Sequence, residues 1–141
     1  MLKAVIIDSS AVARGLLNTV LMDGGYEVVG QAHTCAAANA LLIKHNPQII
    51  CISRDTIEAD TAAMDAMRKD WPKAMIFMVS SEFDETTIRK GHAMGINGYI
   101  VKPFNAGTVL KTIRNTVITT VKRQQKAQEG TAGAAESGDE A

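Results

Sequence analysis

Short apolar runs alternate five times with segments of helical period along most of the chain. The runs cover residues 2–8, 27–31, 48–53, 74–79 and 98–102. The segments between and after them repeat apolar residues every three or four positions, which is typical of amphipathic helices. Turn residues such as Gly24-Gly25 and Asn46-Pro47 separate the elements. Five βα units with nearly unbroken apolar strands predict a parallel sheet that helices cover on both faces.

The helices are predicted from their caps and their apolar faces. The first begins at Ser9 or Ser10 and is expected to pack Val12, Leu16, Leu17, Val20 and Leu21 on one face. The third predicted helix follows a polar loop over residues 54–60. The fourth covers roughly residues 84–94, and the fifth begins at Asn105 or Ala106. In the fifth, Ile118 and Val121 fall near the end of the sheet and are expected to be exposed.

Right-handed crossovers and the chain length favour one α/β fold. It is the flavodoxin-like (βα)5 doubly wound parallel sheet with strand order 2-1-3-4-5. We predict a single domain over residues 1–122. Residues 123–141 are predicted to be a helix end and a disordered acidic tail, because the chain after Lys126 is rich in Ala and Gly and has no large apolar residue.

Composition excludes several classes of function. The 141 residues have a formal net charge of zero, and this lack of excess positive charge argues against a nucleic-acid partner. No apolar stretch is long enough to cross a membrane, and no signal peptide is evident. Cys35 and Cys51 lack metal-ligand spacing, and Cys51 is expected to be a buried thiol in a reducing cytoplasm. The sequence therefore predicts a cytoplasmic globular protein.

Polar residues follow three of the predicted strands at the point where each strand ends. Asp8 ends the first run, Ser53 the third and Lys102 the fifth, where Pro103 stops the strand. Ligands of open α/β sheets bind at the carboxyl ends of the strands. An acid, a hydroxyl and a lysine are therefore expected to share one polar pocket.

These residues stand in the order of a known family. Ile6-Ile7-Asp8, Ser80, Tyr99 and Lys102-Pro103-Phe104 resemble the motifs of the receiver domain of two-component response regulators, the CheY-like fold. The resemblance implies a non-enzymatic signalling module. In such receivers a histidine kinase phosphorylates an aspartate at the tip of strand three, and two acids at strand one help to hold Mg²⁺. Ser80 and Tyr99 correspond to the switch residues, and the Lys102–Pro103 bond is expected to be cis.

The chain departs from the family at the acceptor. Ser53 stands where the phosphorylated aspartate is expected, and Ser9 replaces the second acid of strand one. Serine is a weak nucleophile without an adjacent base. With Asp8 as the remaining acid, Mg²⁺ binding is expected to be lost or weak, and no cofactor is expected. We predict that Lys102 instead contacts Asp8 directly, with the Ser53 hydroxyl joining them.

Three functions remain open at this point. The main hypothesis is an interaction module that works without phosphorylation. It would contact a histidine kinase or a downstream effector through the fourth helix, strand five and the fifth helix, and it could form a homodimer. The second is an active phosphorelay receiver that uses Asp55 or Ser53. The third, a small-molecule or flavin-binding module, is disfavoured because the loop Asp8-Ser9-Ser10-Ala11 has no glycine to approach a phosphate.

Overall fold

The computed structural model describes residues 1–137, with side chains as far as residue 126. This part of the chain forms five strands and six helices, with two consecutive helices between the third and fourth strands. The strands are β1 (Lys3–Ile7), β2 (Glu27–Ala32), β3 (Ile49–Ser53), β4 (Met75–Ser80) and β5 (Gly98–Val101). The helices are α1 (Ala11–Asp23), α2 (Cys35–His45), α3 (Arg54–Ala59), α4 (Thr61–Asp70), α5 (Glu85–Ala93) and α6 (Ala106–Ser137).

The strands form one parallel sheet in the order β2-β1-β3-β4-β5, which confirms the predicted topology. β3 lies at the centre, where Cys51 pairs with Ile6 on one side and with Phe77 on the other. Since all strands run in one direction, Asp8, Ser53, Ser80 and Lys102 lie at the same edge of the sheet. The fold thus brings the predicted pocket residues to one edge.

The sheet divides the core into two layers. One face packs β-strand residues such as Ile7 and Ile52 against α2, α3 and α4. The other packs Ile6, Phe77 and Ile100 against α1 and α6. Because neighbouring residues of a strand point to opposite faces, Tyr99 lies on the first face and Ile100 on the second. This alternation agrees with the prediction that only one of the two faces the last helix.

The polar loop predicted over residues 54–60 is wrong, because Arg54–Ala59 forms the short helix α3. Ser53 caps this helix, and Asp55 lies in its first turn, where the helix dipole stabilises a negative charge. Asp60 then caps α4 without an intervening loop. The fourth and fifth predicted helices are therefore α5 and α6.

The apolar face predicted for α1 is also partly wrong. Ala13, Leu17 and Leu21 form the buried stripe, whereas Val12 is 73% and Leu16 56% exposed. Successive helical residues are rotated by about 100°, so positions 12 and 16 lie to one side of a stripe centred on position 17. The outer part of α1 consequently presents apolar side chains to solvent.

The last helix extends further than the sequence indicates. The backbone of α6 is helical through Ser137, whereas a disordered tail is predicted from residue 127. Alanine, glutamine and glutamate in this stretch favour helix, whereas Gly130 and Gly133 oppose it. Residues 138–141 of the predicted tail lie outside the described residues.

Arg68 connects the end of α4 to two other parts of the fold. Its guanidinium donates to the carbonyls of Trp71 and Ala74, both at 2.7 Å, and to the carbonyl of Gly95 at 2.9 Å. It also reaches Asn97 Oδ1 at 3.1 Å, and that oxygen accepts the backbone N–H of Ile76. Burial lowers the pKa of Arg68. The half-buried guanidinium therefore fixes the loop before β5 against the start of β4.

Candidate functional site

Lys102 and Asp8 form an ion pair at the carboxyl edge of the sheet. Lys102 Nζ donates to Asp8 Oδ2 at 2.9 Å. The Asp8 side chain is almost fully buried, and that of Lys102 is 27% exposed. The predicted contact is thus confirmed. The Lys102–Pro103 peptide bond is cis, as the resemblance implies.

The rest of Asp8 is also engaged. Its Oδ1 accepts the backbone N–H of Ser10 at 2.9 Å, and its own N–H donates to Ala32 O at 3.0 Å. Arg14 Nη1 donates to the Asp8 carbonyl at 2.6 Å. Both carboxylate oxygens therefore have a protein donor, and two basic side chains lie against this one residue.

Ser53 ends β3 and is 2% exposed. Its Oγ lies 2.6 Å from Thr56 Oγ1 and accepts the backbone N–H of Thr56 at 3.3 Å. In the described part of the chain its side-chain hydrogen bonds go to Thr56, and none joins it to Asp8 or Lys102. The expectation that the Ser53 hydroxyl joins the ion pair is therefore wrong, because that hydroxyl caps α3.

The remaining polar residues of the predicted pocket are dispersed. Ser80 Oγ donates to Glu82 O at 2.9 Å and accepts the Glu82 N–H at 3.2 Å, so it stabilises a local turn. Asp55 and Ser9 are exposed and line a separate depression of about 450 Å³ with Cys35. The structure brings Asp8 and Lys102 together but places Asp55 outside their contact.

Tyr99 lies inward against α5. Its hydroxyl donates to the carbonyl of Ile88 at 2.9 Å, and its ring meets Phe83 edge to face at a centroid distance of 5.3 Å. A Cβ placed on Gly91 would lie 2.7 Å from the Tyr99 hydroxyl oxygen, so the missing side chain makes room for the ring. Burial raises the pKa of the Tyr99 phenol.

These contacts matter for the position of α5, whose two buried residues are the small Thr87 and Gly91. Ile88, the one large apolar residue of this helix, is 43% exposed. A helix normally binds its sheet through large apolar side chains. Here Tyr99 reaches from β5 and contributes the aromatic surface and the hydrogen bond that hold α5 in place.

Three contributors to the site are absent from the sequence predictions. Thr56 and Phe83 bind the predicted residues, and Gly91 makes room for Tyr99. A glycine inside a predicted helix is a signal of close packing, so Gly91 could have been found. Thr56 follows a hydroxyl residue by three positions, which is the spacing of a helix cap. Phe83 gives no comparable signal.

Among the described side chains, those of residues 1–126, no cluster of three or more His, Cys, Asp or Glu is arranged to hold a metal ion. Within residues 1–137, no helix combines the length and the hydropathy needed to cross a bilayer. Cys51 is a buried free thiol, as predicted, and burial raises its pKa to about 12.

The chain is similar in sequence and in fold to chemotaxis and response regulator proteins. The chain is 28% identical to the chemotaxis protein CheY of Bacillus subtilis, over 82% of this chain and 97% of that protein. It is 29% identical to the solved structure of CheY4 of Vibrio cholerae, with a TM-score of 0.73 over 82% of this chain and 98% of that one. NtrX from Brucella abortus shares the fold with a TM-score of 0.78 at 21% identity, over 94% of this chain and 30% of that one.

The model of the response regulator receiver domain matches residues 4–114, which contain the pocket, strands β2 to β5 and all of β1 except Lys3. Receiver domains such as CheY are non-enzymatic signalling modules, and they interact with signalling proteins such as kinases and effectors. The sheet order, the Asp8–Lys102 pair and the cis Lys102–Pro103 bond fall within the matched region. This chain belongs to the response regulator receiver domain family of two-component signalling.

Proposed function

We propose that this receiver signals through protein contacts and without phosphorylation of an aspartate. The observation that supports this most strongly is the state of Ser53. Its hydroxyl is buried and forms a hydrogen bond with the Thr56 hydroxyl, which is not a base. A serine nucleophile needs a base to remove its proton. At the acceptor position the chain therefore presents a helix cap.

The metal requirement of phosphoryl transfer argues in the same direction. Mg²⁺ prefers several carboxylate and water oxygens in octahedral geometry. Asp8 is the one carboxylate at the ends of β1 and β3, and Lys102 and the Ser10 N–H already bind its two oxygens. An ammonium beside this carboxylate also disfavours a cation. This set of ligands does not fit a magnesium ion.

The inward position of Tyr99 supports a contact surface that does not depend on phosphorylation. In the family this aromatic swings inward on phosphorylation, whereas here the Ile88 carbonyl, Phe83 and Gly91 hold it inward through contacts of the resting chain. The surface formed by α5, β5 and α6 would thus have one form, ready to bind a histidine kinase or an effector. A homodimer through this surface and a cytoplasmic location remain part of the proposal.

The second candidate is an active receiver that uses Asp55. Its exposure is the observation in its favour, since an exposed carboxylate is accessible to a phosphodonor. Against it, Asp55 lies in the first turn of α3 and lines a depression that does not include Lys102. A phosphoryl group there would lack the lysine that stabilises charge in the family.

Titration with beryllofluoride and Mg²⁺, or with acetyl phosphate, separates the two candidates. We expect no saturable shifts in the amide NMR signals of Asp8, Ser80 and Lys102. Intact mass should also show no added phosphoryl group. Saturable shifts at these residues, or a phosphoryl group on Asp55, would revive the relay.

The contact surface is tested by substitution once a partner has been captured. Arg89→Glu and Ile118→Glu should abolish partner binding and keep the fold, because both side chains are exposed. Ser53→Ala should leave binding unchanged. The opposite result would place the output at the pocket edge of the sheet.

A further inference from the structure

Helix α6 has two different flanks. On the flank toward α5, Asn115 and Thr119 line a cavity of about 380 Å³ with His92. On the flank toward the end of α1, Leu110 packs against Gly24. Arg114 lies close enough to Tyr26 for its charge to oppose the rise in the phenol pKa that burial causes. The first flank is mainly polar, with Arg123 at its end, whereas the second is basic around Arg114.

Beside the basic flank runs an exposed strip that we call the α6 ridge. It consists of Lys111, Arg114, Ile118, Val121 and Lys122. The first four positions are three or four residues apart and Lys122 is four residues after Ile118, so all five lie along one side of the helix. Ile118 is 45% and Val121 43% exposed, with basic residues on either side of them. The ridge thus combines an apolar centre with positive ends.

The charge of this helix is one-sided over a long stretch. Residues 106–126 contain the bases Lys111, Arg114, Lys122, Arg123 and Lys126 and no acidic residue. In a symmetric dimer centred on this ridge, the same positive side chains would face one another and repel. A nucleic acid would leave Ile118 and Val121 without an apolar partner, and the protein as a whole has no net positive charge.

We propose that the α6 ridge docks an acidic amphipathic helix of a partner protein. The proposal rests on the contact function proposed above and specifies the chemistry of the partner. Leucine-type side chains at helical spacing would cover Ile118 and Val121, and glutamates or aspartates beside them would pair with Lys111, Arg114 and Lys122. A single helix buries less area than a standard interface, so the complex is weak and its charge pairs are sensitive to salt.

Two synthetic peptides of matched design serve as probes. Each is a fluorescein-labelled helix with leucines at i, i+3, i+4 and i+7, and the other positions are mainly glutamate in one probe and lysine in the other. Fluorescence anisotropy should give a dissociation constant on the order of 10 µM for the acidic probe at low salt. Binding should weaken about tenfold in high salt, and the lysine probe should not bind.

The variants compare the ridge with remote positions of equal charge. Lys111→Glu with Arg114→Glu should weaken the acidic probe at least about tenfold, and Ile118→Glu should do the same. Lys44→Glu with Lys73→Glu makes the same charge change at exposed sites elsewhere and should leave binding within about twofold. Circular dichroism checks that every variant is folded.

Several results would overturn the inference. These are equal binding of both probes, ridge variants that bind like the parent, or tighter binding of a single-stranded oligonucleotide or of anionic vesicles. Self-association in ultracentrifugation that Ile118→Glu removes would identify a second copy as the occupant instead. Beryllofluoride shifts at the pocket would overturn the proposed function alone, because the peptide measurements are made on unphosphorylated protein.

Discussion

Lys102 Nζ and Asp8 Oδ2 lie 2.9 Å apart although their strands are not neighbours in the sheet. β3 and β4 lie between β1 and β5, so the lysine side chain extends across the ends of two strands. The pair joins the first and last βα units through one charged hydrogen bond.

Removal of the lysine should be costly for that reason. Lys102→Met leaves the buried Asp8 carboxylate without its cation, and we expect the free energy of unfolding to fall by about 1–3 kcal/mol. Asp8→Asn keeps an acceptor for the Ser10 N–H and removes the charge. The double variant should therefore regain part of the loss in urea unfolding, and simple additivity would show that the two groups do not interact.

Ser53 is expected to act on stability and not on signalling. Ser53→Ala removes the cap of α3 and the partner of the Thr56 hydroxyl, which should lower the free energy of unfolding by about 1–2 kcal/mol. Thr56→Val tests the same hydroxyl pair from the other side. An unchanged unfolding midpoint for both would contradict the assigned cap.

Two glycine substitutions should have opposite effects. Alanine favours a helix interior over glycine by about 1 kcal/mol, and a Cβ on Gly15 meets nothing within 4 Å, so Gly15→Ala should stabilise the protein. Gly91→Ala should destabilise it, because the new methyl group displaces the Tyr99 ring. Amide exchange over residues 85–93 should then become faster, and the pKa of Tyr99 should fall toward its ordinary value. A stabilising Gly91→Ala would mean that Tyr99 does not occupy this position.

The stability that Asp84 contributes at the N-terminus of α5 should depend on pH. The Thr87 side chain and then its backbone N–H hold the pKa of Asp84 below its ordinary value. A lowered pKa in the folded state means that the carboxylate stabilises the fold above the unfolded pKa of about 4. This contribution is lost as the pH falls through the lower folded value. Carboxyl NMR titration of the parent and of Thr87→Val measures it, and an equal Asp84 pKa in both would refute the assignment.

The sequence predicts those parts of the molecule that depend on local pattern. Apolar runs and their terminating residues place Asp8 and Lys102 at strand ends, and the parallel order then brings them to one edge. The exposure of Ile118 and Val121 follows equally from helical spacing beyond the end of the sheet. Each of these inferences needs only the period of the chain and the direction of the strands.

Features that depend on the detailed fit between neighbouring elements, or that are too short to show a period, are not evident from the sequence. The fit of Tyr99 against Gly91 joins β5 to α5, and no local pattern connects the two. Residues 54–59 are too few to display a helical period, so α3 looked like a loop. With residues 54–60 read as a loop, the sequence indicates that the Ser53 hydroxyl belongs to the pocket. In the structure this hydroxyl caps α3.

The hydrogen bonds of the Arg68 guanidinium have a consequence for the rate at which the protein unfolds. Its contacts with Gly95 and Asn97 join residues 27 and 29 positions apart, so we expect them to form late in folding, when the last strand joins the sheet. Interactions absent from the folding transition state mainly retard unfolding. Replacement of Arg68 should therefore shorten the lifetime of the native state far more than it slows its formation.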